Sequence, residues 1–242
     1  MARSPLMVLI LGLGGGIHAP SAGSRRMTSS LTHLMTLMSC FGWNACMGEG
    51  KERACSVTPD ESRRRPWVIT VAAVSGGGKT TIAKGLARRL GAYLLSFDDY
   101  DFEGPDDFVA WIDHGADYRD WDLSPLVVDL QQALTGPYRY VILDYPFAYA
   151  QYQVSPYIDV AIYVDTPLDV ALSRRLLRDF SGCVGDAILR DVKHYVERGR
   201  RGYLEQLKTV RPLSDIVTDG TESTEVVITD IVSQLASRLT IS

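Results

Sequence analysis

The sequence predicts an α/β domain of three layers, in which a mostly parallel sheet is covered by helices on both faces. From residue 66 onward, short apolar segments rich in β-branched residues alternate with longer amphipathic segments, which is the pattern of parallel strands joined by helices. A glycine-rich turn after the first strand, and acidic residues at the ends of later strands, indicate one ligand-binding edge. With 242 residues, 46% of them hydrophobic, the chain is long enough for one such domain with a sizeable core.

Five apolar segments have the length and composition of buried strands. The predicted strands are Trp67–Ala72, Tyr93–Phe97, Tyr140–Leu143, Val160–Val164 and Asp215–Val217. Because parallel strands end at the same edge of a sheet, the residues that follow them are expected to lie close together.

The helices predicted between these strands have clear start and stop signals. Proline in a first turn and Ser or Thr before it favour a helix start, and glycine favours a helix end. The predicted helices are Ile82–Leu90 with Gly91 at its end, a segment from Pro105 to Gly115, Leu126–Leu134 after Ser124 and Pro125, a segment opened by a Thr166–Asp169 capping box, a long helix over residues 186–210, and Val226–Leu239.

Residues 1–65 differ from the rest of the chain in charge. They carry eight Lys and Arg against four Asp and Glu, whereas residues 66–242 carry 17 basic and 25 acidic residues. We therefore predict an N-terminal extension over residues 1–65 and a catalytic domain over residues 66–242. The extension is compatible with a disordered or artefactual tail, an organelle-targeting segment or a secretory signal, and its apolar run Leu6–Leu13 is too short to span a bilayer.

Composition also limits the partners and the compartment. The acidic character of residues 66–242 argues against a nucleic-acid partner, because nucleic-acid phosphates require a basic surface. Three of the four cysteines lie in the extension without zinc-ligand spacing, and Cys183 stands apart, so no disulfide framework is expected. We expect a cytoplasmic protein, with organelle targeting as the alternative, that acts on a small molecule and has no membrane partner.

The strongest functional signal is the run Ser-Gly-Gly-Gly-Lys-Thr-Thr between the first predicted strand and the first predicted helix. Successive backbone N–H groups of such a loop, together with the positive end of the helix dipole, bind phosphate, and this context is that of a P-loop. Lys79 can reach the β- and γ-phosphates of ATP, and the Thr80 hydroxyl can ligate Mg²⁺. The residues predicted to bind ATP are Ser75, Gly76, Gly77, Gly78, Lys79, Thr80 and Thr81.

Acidic residues follow three other predicted strands. Asp98 and Asp99 follow the second strand, Asp144 the third and Asp165 the fourth. These carboxylates are expected at the same edge of the sheet as the phosphate loop. A carboxylate there can accept the proton of a substrate hydroxyl, and Asp144 ends an apolar strand as a Walker-B acid that holds Mg²⁺ does.

The order of these motifs resembles that of the uridine kinase, nicotinamide riboside kinase and phosphoribulokinase family of P-loop small-molecule kinases. The resemblance covers residues 67–220. The segments that carry it are Ser75–Thr81, Leu95–Tyr100, Trp121–Asp122 with Pro125, Val141–Asp144, Val164–Thr166 and Arg174–Asp179. The resemblance implies a P-loop NTPase fold with a helical lid, an ATP- and Mg²⁺-dependent kinase activity, and Asp98 as the catalytic base, with Asp99 as the alternative base or a substrate-binding residue.

The resemblance also implies a position for the phosphoryl acceptor. In the family, the acid of an aromatic-Asp pair binds ribose hydroxyls, and Trp121-Asp122 is similar to that pair. Asp122 is separated from Pro125 by one residue more than in the commonest family form, and Asp117 and Asp120 are nearby competitors. Trp121 and Asp122 are therefore predicted to bind the substrate.

Three arginines of the helical lid are predicted to act on phosphate or substrate. Arg174 and Arg178 share a helix face, as do Arg175 and Arg178. Guanidinium groups suit phosphate oxygens through bidentate pairing and a permanent charge. Arg175 and Arg178 are the preferred phosphate ligands. The predicted catalytic residues are therefore these two arginines, Lys79 and Asp98. Arg174 is expected to bind the substrate.

The leading hypothesis is a kinase that transfers the γ-phosphoryl group of ATP to a hydroxyl of a nucleoside-like metabolite of the uridine or nicotinamide riboside type. Two alternatives stay open at this point. One is a kinase of another small alcohol, pantothenate-like or a sugar. The other is a regulatory P-loop ATPase, which would release phosphate without an acceptor and would not need Asp98.

Overall fold

The computed structural model describes residues 65–182 and 185–239, all of which belong to one compact unit. The predicted N-terminal extension, apart from Arg65, and Cys183 lie outside the described residues. Arg65 forms a two-point ion pair with Asp159, at 3.0 Å for each nitrogen–oxygen contact, and Asp159 also accepts from the backbone N–H of Val68 at 2.8 Å. These contacts fix the start of the first strand.

Strands and helices alternate along the described residues. The strands are β1 (Trp67–Ala72), β2 (Tyr93–Ser96), β3 (Tyr140–Asp144), β4 (Val160–Asp165) and β5 (Ile216–Asp219). The α-helices are α1 (Lys79–Leu90), α2 (Phe108–Asp113), α3 (Ser124–Ala133), α4 (Leu168–Asp179), α5 (Gly185–His194), α6 (Arg200–Thr209) and α7 (Thr224–Leu239). A π-helical turn over Tyr195–Gly199 joins α5 to α6.

The sheet has the order β2-β3-β1-β4-β5, and every pairing is parallel. β1, β3 and β4 are buried along almost their whole length, as strands covered on both faces are. In the register, Asp144 pairs with Val71 on one side and with Ser96 on the other. The carboxyl ends of β1, β2 and β3 therefore lie at the same edge of the sheet, and β1 is the central strand of the five.

Two hydrophobic cores, one on each face of the sheet, make the three layers. Alternate residues of β1 enter different cores because successive side chains of a strand point to opposite faces. Ile69 and Val71 pack with residues of α1 and α7, whereas Val68 and Ala72 pack with α3 and a group of aromatic side chains. This arrangement confirms the predicted fold, an α/β/α sandwich of the P-loop type.

Some predicted helix boundaries are wrong. The helix predicted from Pro105 begins at Phe108, because the Asp107 carboxylate accepts from two N–H groups of the first turn and makes it the N-cap. The long helix predicted over residues 186–210 is two α-helices joined by the π-turn. Within residues 65–182 and 185–239, none of the helices combines the length and the apolar character needed to cross a membrane.

Candidate active site

The loop between β1 and α1, residues 73–78, is shaped by two glycines with left-handed backbone conformations. Gly76 and Gly78 have φ values of 81° and 99°, and the Gly77 N–H donates to the Val74 carbonyl at 2.8 Å. Among the described residues no side chain caps α1, and the first turn of α1 holds no acidic residue. The N–H groups of that turn and the positive end of the helix dipole are therefore available to an anion.

Helix α4 packs directly on this loop. A Cβ built on Gly76 would lie 2.0 Å from the carbonyl oxygen of Ala171 and 3.1 Å from the Cβ of Arg175. Any side chain at position 76 would therefore push the loop away from α4. A Cβ on Gly78, in contrast, would meet nothing within 4 Å.

These two glycines allow a matched test of the packing. Gly78→Ala should lower the free energy of unfolding by about 1–2 kcal/mol, because alanine is strained at a positive φ. Gly76→Ala should cost about 1–3 kcal/mol more, because it also overpacks the contact with α4, and it should weaken nucleotide binding. Chemical denaturation and ATP titration measure both effects. Equal losses in the two variants would contradict the idea that contact with α4 shapes the loop.

Thr166, which follows β4, ties the loop to the neighbouring strands. Its buried hydroxyl donates to the carbonyl of Gly77 at 2.9 Å. The predicted capping box is therefore wrong, since the N-cap of α4 is Pro167 and the Thr166 hydroxyl bonds to the phosphate loop instead. Gly220, which follows β5, approaches Thr166 so closely that a Cβ there would lie 1.9 Å from the hydroxyl oxygen.

Lys79, the first residue of α1, reaches two of the predicted carboxylates. Its Nζ lies 2.5 Å from Asp144 Oδ1 and 3.9 Å from Asp98 Oδ2. The Lys79 and Asp144 side chains are 10% and 1% exposed. Asp144 Oδ2 also accepts from the Ser96 hydroxyl at 3.4 Å. The predicted lysine and the predicted Walker-B acid thus form a buried ion pair beside the loop.

Asp98 lies in a short 3₁₀ turn, Phe97–Asp99, that follows β2. The buried Phe97 ring anchors this turn in the core. Burial is the main cause that raises the pKa of Asp98 above its usual value, with a further rise from Asp144, while the positive charges of Lys79 and Arg178 oppose it. Asp98 Oδ1 is buried and has no hydrogen-bond partner among the described residues. A carboxylate with a raised pKa and a free oxygen is suited to accept a proton.

The three lid arginines have different surroundings. Arg174 donates to the carbonyl of Gly220 at 2.8 Å, and Arg178 pairs with Asp179 at 2.6 Å. Arg175 is buried, and Asp191 of α5 holds both of its terminal nitrogens, at 3.1 and 2.5 Å. Arg174 and Arg178 line the same cavity as the phosphate loop, whereas the guanidinium group of Arg175 is engaged by Asp191 and does not line that cavity.

A cavity of about 390 Å³ brings most of the predicted residues together. The predicted site residues that line it are Ser75, Gly76, Gly77, Gly78, Lys79, Thr80, Thr81, Asp98, Arg174 and Arg178. Asp99 is exposed and lies outside this lining, and Asp165 pairs with Arg211 at 2.7 Å. Glu222 and Thr224, which no sequence motif singled out, also line the cavity. The available signal was their position just after the carboxyl end of β5, at the same edge as the loop.

The chemistry of these side chains fits a magnesium ion that is bound largely through phosphate. Within residues 65–182 and 185–239, no group of three or more His, Cys, Asp or Glu side chains is arranged to hold a metal. Mg²⁺ at such sites is held by one or two protein groups, water and substrate phosphates, so a dedicated cage is not required. Thr80 at the start of α1 and the Asp144 carboxylate supply oxygen ligands of the preferred kind.

Asp122 and Trp121 lie away from this cavity. Asp122 Oδ1 accepts from the backbone N–H of Ser124 at 3.0 Å, from the Ser124 hydroxyl and from Gln153 at 3.0 Å. Asp122, rather than Ser124, therefore supplies the side-chain oxygen at the start of α3. The Trp121 ring is 5% exposed and packs against Phe147, with ring centroids 5.6 Å apart.

Trp121 belongs to a second, much smaller cleft of about 30 Å³ between α2, the segment after β3 and α6. We call it the aromatic cleft. Its lining residues are Phe108, Trp111, Tyr118, Trp121, Pro146, Phe147, Gly202, Glu205 and Gln206.

Comparison with known proteins finds kinases among the curated relatives of this chain. No protein-family model matches the chain. The cytidylate kinase of Pyrobaculum aerophilum is 33% identical over 141 residues, which cover 57% of this chain and 73% of that protein. The uridine kinase of Borreliella burgdorferi is 24% identical over 175 residues, which cover 62% of this chain and 84% of that protein. Among solved structures, a gluconokinase from Sinorhizobium meliloti 1021 aligns with a TM-score of 0.44 and 16% identity over 74% of this chain and 98% of that one.

Proposed function

We propose that this chain, which belongs to the uridine kinase-like P-loop kinases, transfers the γ-phosphoryl group of ATP to a hydroxyl group of a nucleoside-like small molecule. The chain is a kinase of nucleosides or other small molecules, with an alcohol group as the phosphoryl acceptor. The finer assignment is that the acceptor is a ribonucleoside of the uridine or nicotinamide riboside type.

One observation carries this proposal. Asp98 and the phosphate loop line the same cavity, and the Asp98 carboxylate lies 3.9 Å from the amine of Lys79. Phosphoryl transfer between oxygens needs an anion cradle and, beside it, a group that takes the proton of the attacking hydroxyl. A nucleotide-binding switch needs only the first of these. The proton-accepting carboxylate beside the anion cradle therefore favours a kinase.

The phosphates of ATP would lie against the loop and the start of α1. The N–H groups at the start of α1, among them those of Lys79 and Thr80, belong to an end of the helix that no described side chain caps. Lys79 supplies a positive charge at this position, and Arg174 and Arg178 line the same cavity. These charges would stabilise the negative charge that spreads over the transferring phosphoryl group.

The Thr80 hydroxyl and the Asp144 carboxylate are the two groups that would hold magnesium. When bound, Mg²⁺ neutralises charge on the phosphate oxygens. In the structure Asp144 is paired with Lys79. Exchange of this pair for lysine–phosphate and carboxylate–magnesium contacts would keep both buried charges compensated when the nucleotide binds.

The acceptor hydroxyl would lie beside Asp98 in the main cavity, and core rings separate this position from the aromatic cleft. Phe97, next to Asp98, packs against Phe147 with centroids 5.4 Å apart, and Phe147 in turn contacts Trp121 in the cleft. The buried rings of Phe97 and Phe147 therefore lie between the aromatic cleft and the turn that carries Asp98. The predicted roles of Asp122 as a ribose ligand, of Asp99 as a substrate-binding residue or alternative base, and of Arg175 as a phosphate ligand stay predictions. None of these three residues lines the main cavity.

An acceptor screen tests the proposed function. With labelled ATP and Mg²⁺, we expect transfer to a nucleoside at a rate far above phosphate release without acceptor, because a closed site excludes water. The panel contains uridine, cytidine, nicotinamide riboside, pantothenate, gluconate and CMP. Phosphate release that no acceptor accelerates would favour the regulatory ATPase. Transfer to CMP, with none to any nucleoside, would contradict a hydroxyl acceptor.

A further inference from the structure

Three polar atoms without partners are buried beside the phosphate loop. They are the hydroxyl oxygen of Ser75 in the loop, Nε of Arg175 on α4 and the hydroxyl oxygen of Tyr203 on α6. None of the three has a hydrogen-bond partner among the residues that the structure describes. Buried polar groups without partners are rare in folded proteins, so three of them on adjoining elements indicate a state of the protein in which they are paired.

The packing of α4 and α6 against the loop brings these side chains together. Tyr203 shares a small core cluster with Val74 of the loop and Ala171 of α4. Ser75 directly follows Val74 in the chain, and Arg175 lies four residues after Ala171, on the same face of α4. The phosphate loop, α4 and α6 therefore meet where the three unpaired atoms lie.

The Tyr203 hydroxyl is next to both of the other groups. Burial is the main cause that raises the pKa of Tyr203 above its usual value, while the positive charge of Arg175 and the neighbouring Ser75 hydroxyl oppose this rise. Asp191 holds the two terminal nitrogens of Arg175. Nε is therefore the guanidinium nitrogen that remains to donate to the Tyr203 oxygen.

Packing alone does not account for a tyrosine at position 203. The ring is buried among apolar groups and meets the ring of Tyr195 edge-on, with centroids 5.2 Å apart. Phenylalanine would make the same contacts without burying an unpaired hydroxyl, which destabilises a folded protein. The hydroxyl therefore has a role besides packing, and Ser75 connects it to the main cavity, which Ser75 lines.

We propose that Tyr203 is a positioning residue for the phosphate loop. When ATP binds, the Tyr203 hydroxyl accepts from Arg175 Nε–H and donates to Ser75 Oγ, and the Ser75 hydroxyl donates to a phosphate oxygen. Each of the three donors then has one acceptor. This inference rests on the proposed function in one respect, that ATP is the ligand of the loop.

Tyr203→Phe tests the proposal, because it removes the hydroxyl and keeps the ring. The Kd for ATP, measured by titration calorimetry, should rise by about 2- to 10-fold, the range for one net hydrogen bond. The free energy of unfolding without ATP should stay the same or rise, because the variant no longer buries an unpaired hydroxyl. A purely structural role would give the reverse, lower stability with unchanged ATP binding.

A double-variant cycle identifies Ser75 as the partner. Ser75→Ala removes both the contact with phosphate and the acceptor of the Tyr203 hydroxyl, so the Kd for ATP should rise by about 10- to 100-fold. In that background, Tyr203→Phe should have no further effect on the Kd. Tyr195→Phe makes the same substitution in the adjoining ring of the cluster and, as the matched control, should leave the Kd unchanged.

The outcomes distinguish this inference from the function on which it rests. If Tyr203→Phe binds ATP as tightly as the intact chain, or if its effect adds to that of Ser75→Ala, the inference is overturned and the proposed function stands. An equal loss of affinity in Tyr195→Phe would assign the effect to ring packing and would also overturn the inference. If the variants behave as expected but the acceptor screen finds no transfer, the inference stands and the proposed function is overturned. If the intact chain does not bind ATP, both are overturned.

Discussion

Replacement of Asp98 by asparagine is expected to lower kcat by about 10²–10⁴-fold, the usual contribution of a general base, while ATP still binds. Asparagine has nearly the same shape but cannot take the hydroxyl proton. The buried turn of Phe97 and the contacts of Lys79 with Asp144 do not depend on the Asp98 charge. Phosphoryl-transfer kinetics with the acceptor identified in the screen, together with an ATP titration, measure the two effects separately.

Two neighbouring variants sharpen this prediction. Asp101→Asn changes an exposed carboxylate three residues further along the same loop and should leave kcat unchanged. Asp99→Asn tests the alternative base, and its loss of kcat should be much smaller than that of Asp98→Asn because Asp99 is exposed and lies outside the cavity. A larger loss in Asp99→Asn would transfer the role of base to Asp99.

The raised pKa of Asp98 gives the same variant a second signature, in its dependence on pH. The base must be ionised, so kcat should fall on the acidic side as the pH drops through a pKa that lies above the ordinary value of 3.8. The Asp98 contribution to the free energy of unfolding changes with pH in the opposite direction. The folded state holds this proton more tightly than the unfolded state, so the Asp98 contribution to stability falls as the pH rises through the interval above 3.8. Asp98→Asn should therefore keep or raise the free energy of unfolding at neutral pH, which excludes misfolding as the cause of lost activity.

The part of the site that lies on consecutive residues could be predicted from the sequence. The run from Ser75 to Thr81 contains the glycines that set the loop conformation, the lysine and the start of α1. Local signals therefore suffice to predict its position. The same holds for Asp98 and Asp144, because a residue that directly follows a buried parallel strand must lie at the carboxyl edge of the sheet. The fold class followed from the alternation of strands and helices.

The parts that depend on contacts between distant segments could not be predicted. Which lid arginine lines the cavity depends on contacts outside α4, and the Arg175 guanidinium is engaged by Asp191, a partner sixteen residues further along the chain. The sequence around Thr166 fits a capping box equally well, and only the proximity of Gly77 decides that its hydroxyl bonds to the loop. Glu222 belongs to the cavity because β5 lies at the edge beside β4, a placement that no local pattern shows.

Lys79→Met is expected to abolish phosphoryl transfer and also to destabilise the folded state. Loss of one charge that stabilises the transferring phosphoryl group lowers kcat by about 10²–10³-fold or more. The stability loss has a separate cause, since Asp144 would be left buried, charged and without its partner. Removal of one member of a buried ion pair costs about 3–5 kcal/mol. Chemical denaturation gives the second quantity, and a transfer assay gives the first.

A second substitution separates the two effects. Asp144→Asn in the Lys79→Met background removes the uncompensated charge, so the double variant should regain most of the lost free energy of unfolding. It should remain inactive, because neither the lysine nor the magnesium-binding carboxylate is restored. Lys84→Met, at an exposed position one turn further along α1, controls for the loss of a lysine as such and should change neither quantity. A double variant as unstable as Lys79→Met would show that the buried pair is not the source of the destabilisation. Phosphoryl transfer at the rate of the intact chain in Lys79→Met would remove Lys79 from the catalytic machinery, and with it the argument that the phosphate loop works in a kinase.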